Sequence, residues 1–224
     1  MFLSEKIINF YFQLRPPKNL PTGVEVLFPQ QEAAVQNIIH QFFSKFYKDN
    51  RVRQLIFGIN PGRFGAGITG INFTAPKQLI DDCGIKHSFK PSSELSAEFI
   101  YEMICAYGGI KKFYNNFFLT AISPLGFVKD GKNINYYDDK ELLNAIKPYA
   151  VDYINQQVSF GFKTDKCFCI GEDKNYKFLS MLNDEHKWFD QIIALPHPRF
   201  IMQYRRKEKG KYIQQYIGAL TNEI

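Results

Sequence analysis

Short, almost wholly apolar runs alternate along the chain with longer segments in which apolar residues recur every three to four positions. The runs Gln54-Leu-Ile-Phe-Gly-Ile59, Asn116-Phe-Phe-Leu-Thr-Ala-Ile122, Lys166-Cys-Phe-Cys-Ile170 and Gln191-Ile-Ile-Ala-Leu195 are each bounded by glycine, proline or polar residues. That is the pattern of strands buried on both faces. Over residues 31–48, Ala34, Val35, Ile38, Ile39, Phe42, Phe43 and Phe46 share one helical face, and His40 lies opposite with Gln36, Asn37 and Ser44 as a solvated residue. Segments 93–107, 138–160 and 173–183 read as further helices, the first opened by Ser93-x-x-Ser96 with Glu94 early. Strands alternating with helices imply right-handed crossovers and a parallel sheet covered on both sides. The expected architecture is a single three-layer α/β/α domain over residues 1–224 with a short four-stranded parallel sheet. Residues 1–50 form an N-terminal helical cover, including an ordered segment Arg15-Pro-Pro-Lys-Asn-Leu-Pro-Thr-Gly23, and residues 200–222 a basic C-terminal helix. Ligands of such folds sit at the carboxyl ends of the strands, so the loops leaving the first, second and fourth strands are where chemistry is to be sought.

Composition narrows the class. The chain has 28 Lys+Arg against 22 Asp+Glu, a formal net charge of +6, which is compatible with a polyanionic partner without requiring one. No apolar run reaches the ~18 residues that a spanning helix needs, and no membrane partner is expected. The start, Met1-Phe2-Leu3-Ser4-Glu5-Lys6, has neither the basic region nor the continuous apolar stretch of a signal peptide. Cys83, Cys105, Cys167 and Cys169 are too scattered for a disulfide framework and point to reduced thiols in the cytoplasm. Cys167 and Cys169 alternate on one strand face, where thiols pack as small apolar groups. His40, His87, His186 and His197 form no pair at ligand spacing, so neither a metal nor another cofactor is expected.

The loop after the first strand runs from Gly58 to Phe73 and contains G-x-G-x-x-G at Gly65, Gly67 and Gly70. A dinucleotide fingerprint must start at the end of the strand and open a helix, whereas here several residues intervene and Ile71-Asn-Phe-Thr-Ala-Pro76 cannot continue as one. Asn60-Pro61-Gly62 is more telling: a ring that fixes one dihedral and a glycine that permits a tight reversal would present the Asn60 side chain rigidly at the strand's end.

These residues carry a resemblance. Gly58-Ile-Asn-Pro-Gly62-Arg-Phe-Gly65 with Thr69-Gly70-x-x-Phe73 resembles the first motif, G-M-N-P-G-x-F-G followed by T-G-x-x-F, of the single-strand-selective monofunctional (SMUG) branch of the uracil-DNA glycosylase superfamily. Phe118-Leu-Thr-Ala-Ile-Ser-Pro-Leu125 with Asp130-Gly-Lys-Asn133 resembles that branch's second-strand segment, and Pro196-His-Pro-Arg199 its second motif, H-P-S-P-R. The three cover about residues 54 to 200. The resemblance implies a uracil-DNA glycosylase-like fold and a monofunctional glycosylase, with DNA carrying uracil or other deaminated bases as partner. It implies that Asn60 positions the hydrolytic water, that His197 is the second catalytic residue, and that the base is held by Gly58, Ile59, Gly62, Phe73, Ala121 and Ser123. Residue chemistry agrees: breaking an N-glycosidic bond leaves a cationic sugar and an anionic base, so the site needs fixed dipoles more than a strong nucleophile. An aromatic face adds stacking worth about 1–3 kcal/mol.

Two departures stand out. A gap-free match on Pro196, Pro198 and Arg199 sets Leu195 at the family's histidine, while a two-residue deletion sets His197-Pro198-Arg199 there instead. His197, at the carboxyl end of the fourth strand, is favoured. Ala121 stands where the family has an asparagine that reads the pyrimidine edge, which implies a wider base range including hypoxanthine and xanthine. After the second motif, Arg199, Phe200, Arg205, Arg206, Lys207, Lys209 and Lys211 form a candidate DNA-binding run, with Arg199, Phe200 and Ile201 as candidates for the wedge that fills the base stack. A cytoplasmic, nucleoid-associated monomer is expected. A DNA-binding module on the same scaffold without catalysis is the rival reading, and a nicotinamide oxidoreductase a distant third.

Overall fold

The computed structural model describes residues 1–221. In chain order its elements are α1 (Leu3–Gln13), β1 (Val24–Leu27), α2 (Ala33–Phe46), β2 (Gln54–Gly58), α3 (Ala66–Thr69), α4 (Pro76–Asp81), α5 (Leu95–Tyr107), α6 (Ile110–Asn116), β3 (Phe117–Ala121), β4 (Gly126–Lys129), β5 (Lys132–Ile134), α7 (Lys140–Val158), β6 (Lys166–Ile170), α8 (Lys174–His186), β7 (Gln191–Leu195), α9 (Pro198–Tyr204) and α10 (Lys209–Thr221). The four apolar runs are the four strands of one parallel sheet, in the order β3-β2-β6-β7. Because β3 lies on one side of β2 while β6 and β7 lie on the other, right-handed crossovers put the α4–α6 connection on one face and α7 and α8 on the opposite face. The chain leaves β2 and β6 in opposite directions, which opens a crevice at their carboxyl ends.

Several expectations are corrected. β7 is an edge strand paired only with β6, so its residues 191–194 are partly exposed rather than buried on both faces. Ala34 is exposed; the buried face of α2 is Val35, Ile38, Ile39, Phe42 and Phe43. Residues 1–50 are not wholly helical, because β1 pairs antiparallel with β4 and, through β4, with β5 in a second, three-stranded sheet. The hairpin between β4 and β5 turns on Asp130 and Gly131, both at positive φ (51° and 68°), as a two-residue turn between right-twisted strands requires. The C-terminal basic segment is not one helix: α9 ends at Tyr204, a 3₁₀ turn spans Arg206–Glu208, and α10 follows, while Asn222 lies outside the described residues. Ser93 does not cap α5; Glu94 holds the N-cap position without a side-chain cap, and the Ser93 hydroxyl donates to Glu98 instead. Asp139 does cap α7, accepting from the amides of Glu141 and Leu142. The segment after α1 is pinned onto α7: the Tyr153 hydroxyl donates to the Arg15 carbonyl at 2.8 Å, and the Lys18 amide to the Tyr149 hydroxyl at 2.9 Å.

At the amino end of β2, Arg53 is 0% exposed. Its guanidinium donates to the Tyr114 carbonyl at 2.6 Å and to both carboxylate oxygens of Asp49 at 2.8 and 3.0 Å, and it stacks over Tyr47. Hydrogen bonds from Arg53 hold the Asp49 carboxyl below its usual range despite partial burial. One cation thus ties the end of α2, the end of α6 and the start of the central strand. Arg53→Met should therefore destabilise the fold by about 3 kcal/mol, because it strands Asp49 and a buried carbonyl. Urea unfolding measures this, and a loss under about 1 kcal/mol would show the cluster to be dispensable.

Candidate active site

The parallel pairing of β2 with β3 continues beyond both strands. Gly58 is in register with Ala121, and the Ile122 and Ser123 amides then donate to the Gly58 and Ile59 carbonyls at 3.0 and 3.1 Å. The loop that begins at Asn60 is thereby anchored at its first residue. Pro61 and Gly62 reverse the chain, and the Gly67 amide closes the turn on the Gly62 carbonyl at 2.8 Å. Close packing explains two glycines here. A Cβ on Gly67 would stand 2.7 Å from the Gly62 carbonyl oxygen, and one on Gly126 of β4 would stand 2.4 Å from that of Pro61. Gly65 and Gly70 flank the single turn of α3 and Gly67 lies within it, and that turn follows a loop and not a strand, so no dinucleotide fingerprint is formed.

Both ends of the Asn60 amide are held by the segment after β4. Its Oδ1 accepts from the Tyr136 amide at 3.1 Å, and its Nδ2 donates to the Ile134 and Pro61 carbonyls at 3.3 Å each. The same hairpin grips the next turn of the loop, where the Arg63 amide donates to Asn133 Oδ1 at 3.2 Å and its guanidinium to the Gly131 carbonyl. Phe73 sits at φ +54°, a conformation costing a non-glycine residue about 1 kcal/mol or more, and two threonines hold the turn. The Thr69 hydroxyl donates to the Thr74 carbonyl at 2.6 Å, and the Thr74 hydroxyl to the Asn72 carbonyl at 3.2 Å. The Phe73 ring lies across Gly58, where a Cβ would come within 2.6 Å of it.

Opposite, the chain leaves β7 through Pro196 into α9, whose N-cap is His197. The imidazole Nδ1 accepts the Arg199 amide at 3.1 Å, so the neutral ring carries its proton on Nε2. Burial, reinforced by the Arg199 charge, lowers the His197 pKa to about 4. From behind, the buried Tyr216 hydroxyl of α10 donates to the Pro196 carbonyl.

These segments enclose a cavity of about 250 Å³ whose lining includes Asn60, Phe73, Ala121 and His197. Ile59, Gly62, Arg199 and Phe200 also border it. Gly58 lies beneath, as the seat of Phe73. Ser123 does not reach the cavity: it is buried and its hydroxyl donates to the Leu125 carbonyl at 2.7 Å. Ile201 is fully buried and is no wedge. Arg205, Arg206, Lys207 and Lys211 are exposed, whereas Lys209 is bound to Glu102 of α5 at 2.5 Å. Around the mouth, Phe64, Phe200 and Tyr204 are 51%, 44% and 69% exposed. Arg63 stacks over Phe64 and Arg205 over Phe200.

The uracil DNA glycosylase superfamily profile matches residues 44–221. The chain belongs to that superfamily. A crystal structure of wild-type Pedobacter heparinus SMUG2 superposes with a TM-score of 0.96 at 44% sequence identity, covering 99% of this chain and 98% of that one. No functionally curated protein matches. The protein is thus a SMUG-like DNA N-glycosylase, and the reading as a binding module without catalysis falls away.

Sequence reasoning missed Glu94, Asn72, Tyr137 and Tyr204, all of which line the cavity. Glu94 is the one carboxylate among the described lining residues; Cβ atoms on Gly62 and Gly65 would stand 2.7 and 2.0 Å from its oxygens. Burial raises its carboxyl above the usual range, and the Arg199 charge opposes the shift. The two motif glycines are the signal that another chain segment approaches there, but they do not say which. For His197 the outcome is definite. Nitrogen NMR should find the Nε2–H tautomer and a pKa of about 4. Because that lies below the unfolded value of about 6.5, the group's contribution to stability is complete above pH ~6.5 and is lost as pH falls toward the folded value. A midpoint near pH 6.5 would show the imidazole to be solvated.

Proposed function

We propose that this enzyme hydrolyses the N-glycosidic bond of uracil, and of the deaminated purines hypoxanthine and xanthine, in DNA. The observation that carries the reading is the convergence in one cavity of a backbone-clamped amide, an aromatic face and a neutral imidazole with a fixed N–H. As the C1′–N bond breaks, its electron pair moves onto the base, and His197 Nε2–H is the donor suited to the oxygen on which that charge gathers. Neutrality matters, because the depressed pKa leaves the ring as neutral imidazole, far too weak an acid to release its Nε2 proton, so the proton stays on the enzyme while the hydrogen bond strengthens. Asn60 Oδ1 retains a lone pair beyond the one used by Tyr136, enough to orient the water that adds to C1′. Phe73 stacks on the base, and the main chain at Ile59 and Gly62 borders it.

Ala121 supports the wider base range. A site built from hydrogen-bonding side chains rejects the wrong base by leaving its own buried groups unpaired; a methyl imposes no such penalty and leaves room for a fused ring. The exposed Arg199, Phe200, Tyr204 and Arg205 at the mouth suit a phosphate contact and a stacking wedge, with Arg206, Lys207 and Lys211 extending the basic surface along the DNA.

Asn60→Ala should lower single-turnover excision by orders of magnitude while DNA binding persists, since the basic surface is untouched. Near wild-type excision would remove Asn60 from the mechanism. Ala121→Asn should raise excision of uracil relative to hypoxanthine by roughly two- to tenfold, the worth of one net hydrogen bond. An unchanged ratio on otherwise identical oligonucleotides would show that position 121 does not face the base.

A further inference from the structure

Asn72 lines the cavity beside Phe73 and yet is 5% exposed, and its side chain ends a chain of buried polar groups. At the far end the Gln157 Nε2 donates to the Tyr153 carbonyl at 3.0 Å, a partner that can only accept, so the Gln157 Oε1 faces Thr120. The Thr120 hydroxyl donates to that oxygen at 2.6 Å. Its proton is thereby committed, so toward the neighbouring Tyr11 hydroxyl the Thr120 oxygen can only accept. The Tyr11 oxygen in turn accepts from Asn72 Nδ2 at 3.0 Å. Tyr11 is buried, stacks on Phe43, and keeps its proton because burial raises its pKa. Tyr11 thus meets Asn72 through its oxygen, and the Asn72 amide presents its donor to it. Nδ2 turns toward Tyr11, and Oδ1, which takes no partner within the protein among the described residues, turns toward the cavity.

The relay links α1, β3 and α7, elements whose own packing does not need it: an apolar side chain at each position would fill the same space without burying four polar groups. A network of this kind that ends on a bare acceptor in a cavity selects a donor. Uracil, hypoxanthine and xanthine share a ring N–H flanked by a carbonyl, whereas cytosine and adenine carry a lone pair at that ring nitrogen. We propose that Asn72 Oδ1 accepts the ring N–H of the base and is the contact by which this enzyme tells deaminated bases from their parents. Ala121 offers no polar group to that edge, which leaves Asn72 as the side chain able to do it beside the stacking ring. The inference rests on the glycosylase reading above and assigns its substrate class to one atom.

The test compares single-turnover excision of uracil and of 3-methyluracil, in which a methyl group replaces the ring proton, by wild type, Asn72→Ala and Tyr11→Phe. Wild type should prefer uracil by at least about tenfold. Asn72→Ala should slow uracil excision by a similar factor and bring the preference close to one. Tyr11→Phe, which leaves Asn72 in place but removes the oxygen that orients it, should reduce the preference less. Thermal melting identifies the variants that fold. A preference unchanged from wild type in the folded variants overturns the assignment of Asn72 while leaving the proposed function standing. A wild type that releases none of uracil, hypoxanthine or xanthine overturns both.

Discussion

The site depends on the parallel pairing of β2 with β3 and its continuation past the ends of both strands. In-register hydrogen bonds put Gly58 beside Ala121, and two further amides, from Ile122 and Ser123, bind the first residues of the loop to the opposing chain. A loop leaving a strand normally gains freedom at once; here it gains none until after Ile59. Asn60, the next residue, is then caught by the β4–β5 hairpin from the other side. The second sheet, small and antiparallel, has its functional meaning in that grip. Its Asp130-Gly131 turn sets the register that delivers the Ile134 carbonyl and the Tyr136 amide to one amide group.

The two walls of the cavity are prepared differently. On the loop wall, orientation comes from backbone hydrogen bonds and from a strained Phe73 held by two threonines. On the α9 wall it comes from a helix start, where the His197 ring caps its own helix and is thereby fixed in one tautomer. The apolar face of α10, with Tyr216 at its centre, buttresses that start through the Pro196 carbonyl. The C-terminal segment thus supports the cavity wall through its buried side and carries exposed basic residues on the other, and its break at Arg205 is what lets α10 fold back onto α5.

Periodicity was a dependable guide where burial is complete and local. Five-residue apolar runs became the sheet, and the face of α2 from Val35 to Phe43 is the core face that its spacing requires. It failed where the environment is set from a distance. β7 has the same apolar character as β6 but stands at an edge, which no pattern within the strand reveals. β1, four residues long, and β5, three residues and mostly polar, are too short to stand out, and both pair with the β4 that lies between them. The resemblance implied Ser123 as a pocket residue, yet its hydroxyl turns back to Leu125.

The sequence by itself determined the loop chemistry: Asn60-Pro61-Gly62 after a buried strand, Phe73 at the end of the same loop, and a histidine after the fourth strand with a basic run behind it are all written in short stretches of the chain. Backbone geometry forces their local conformations, because proline, glycine and a β-bridge leave few alternatives. Only the tertiary structure decided what each group faces. Glu94 enters the cavity because Gly62 and Gly65 leave it space from a distant segment, and the Asn72 amide donates to Tyr11 on α1, whose neighbours Thr120 and Gln157 come from two further elements that meet it only after the sheet and its helices have packed. Hydrogen-bond direction is a property of a whole network, and its members are brought together by long-range packing that no local pattern encodes.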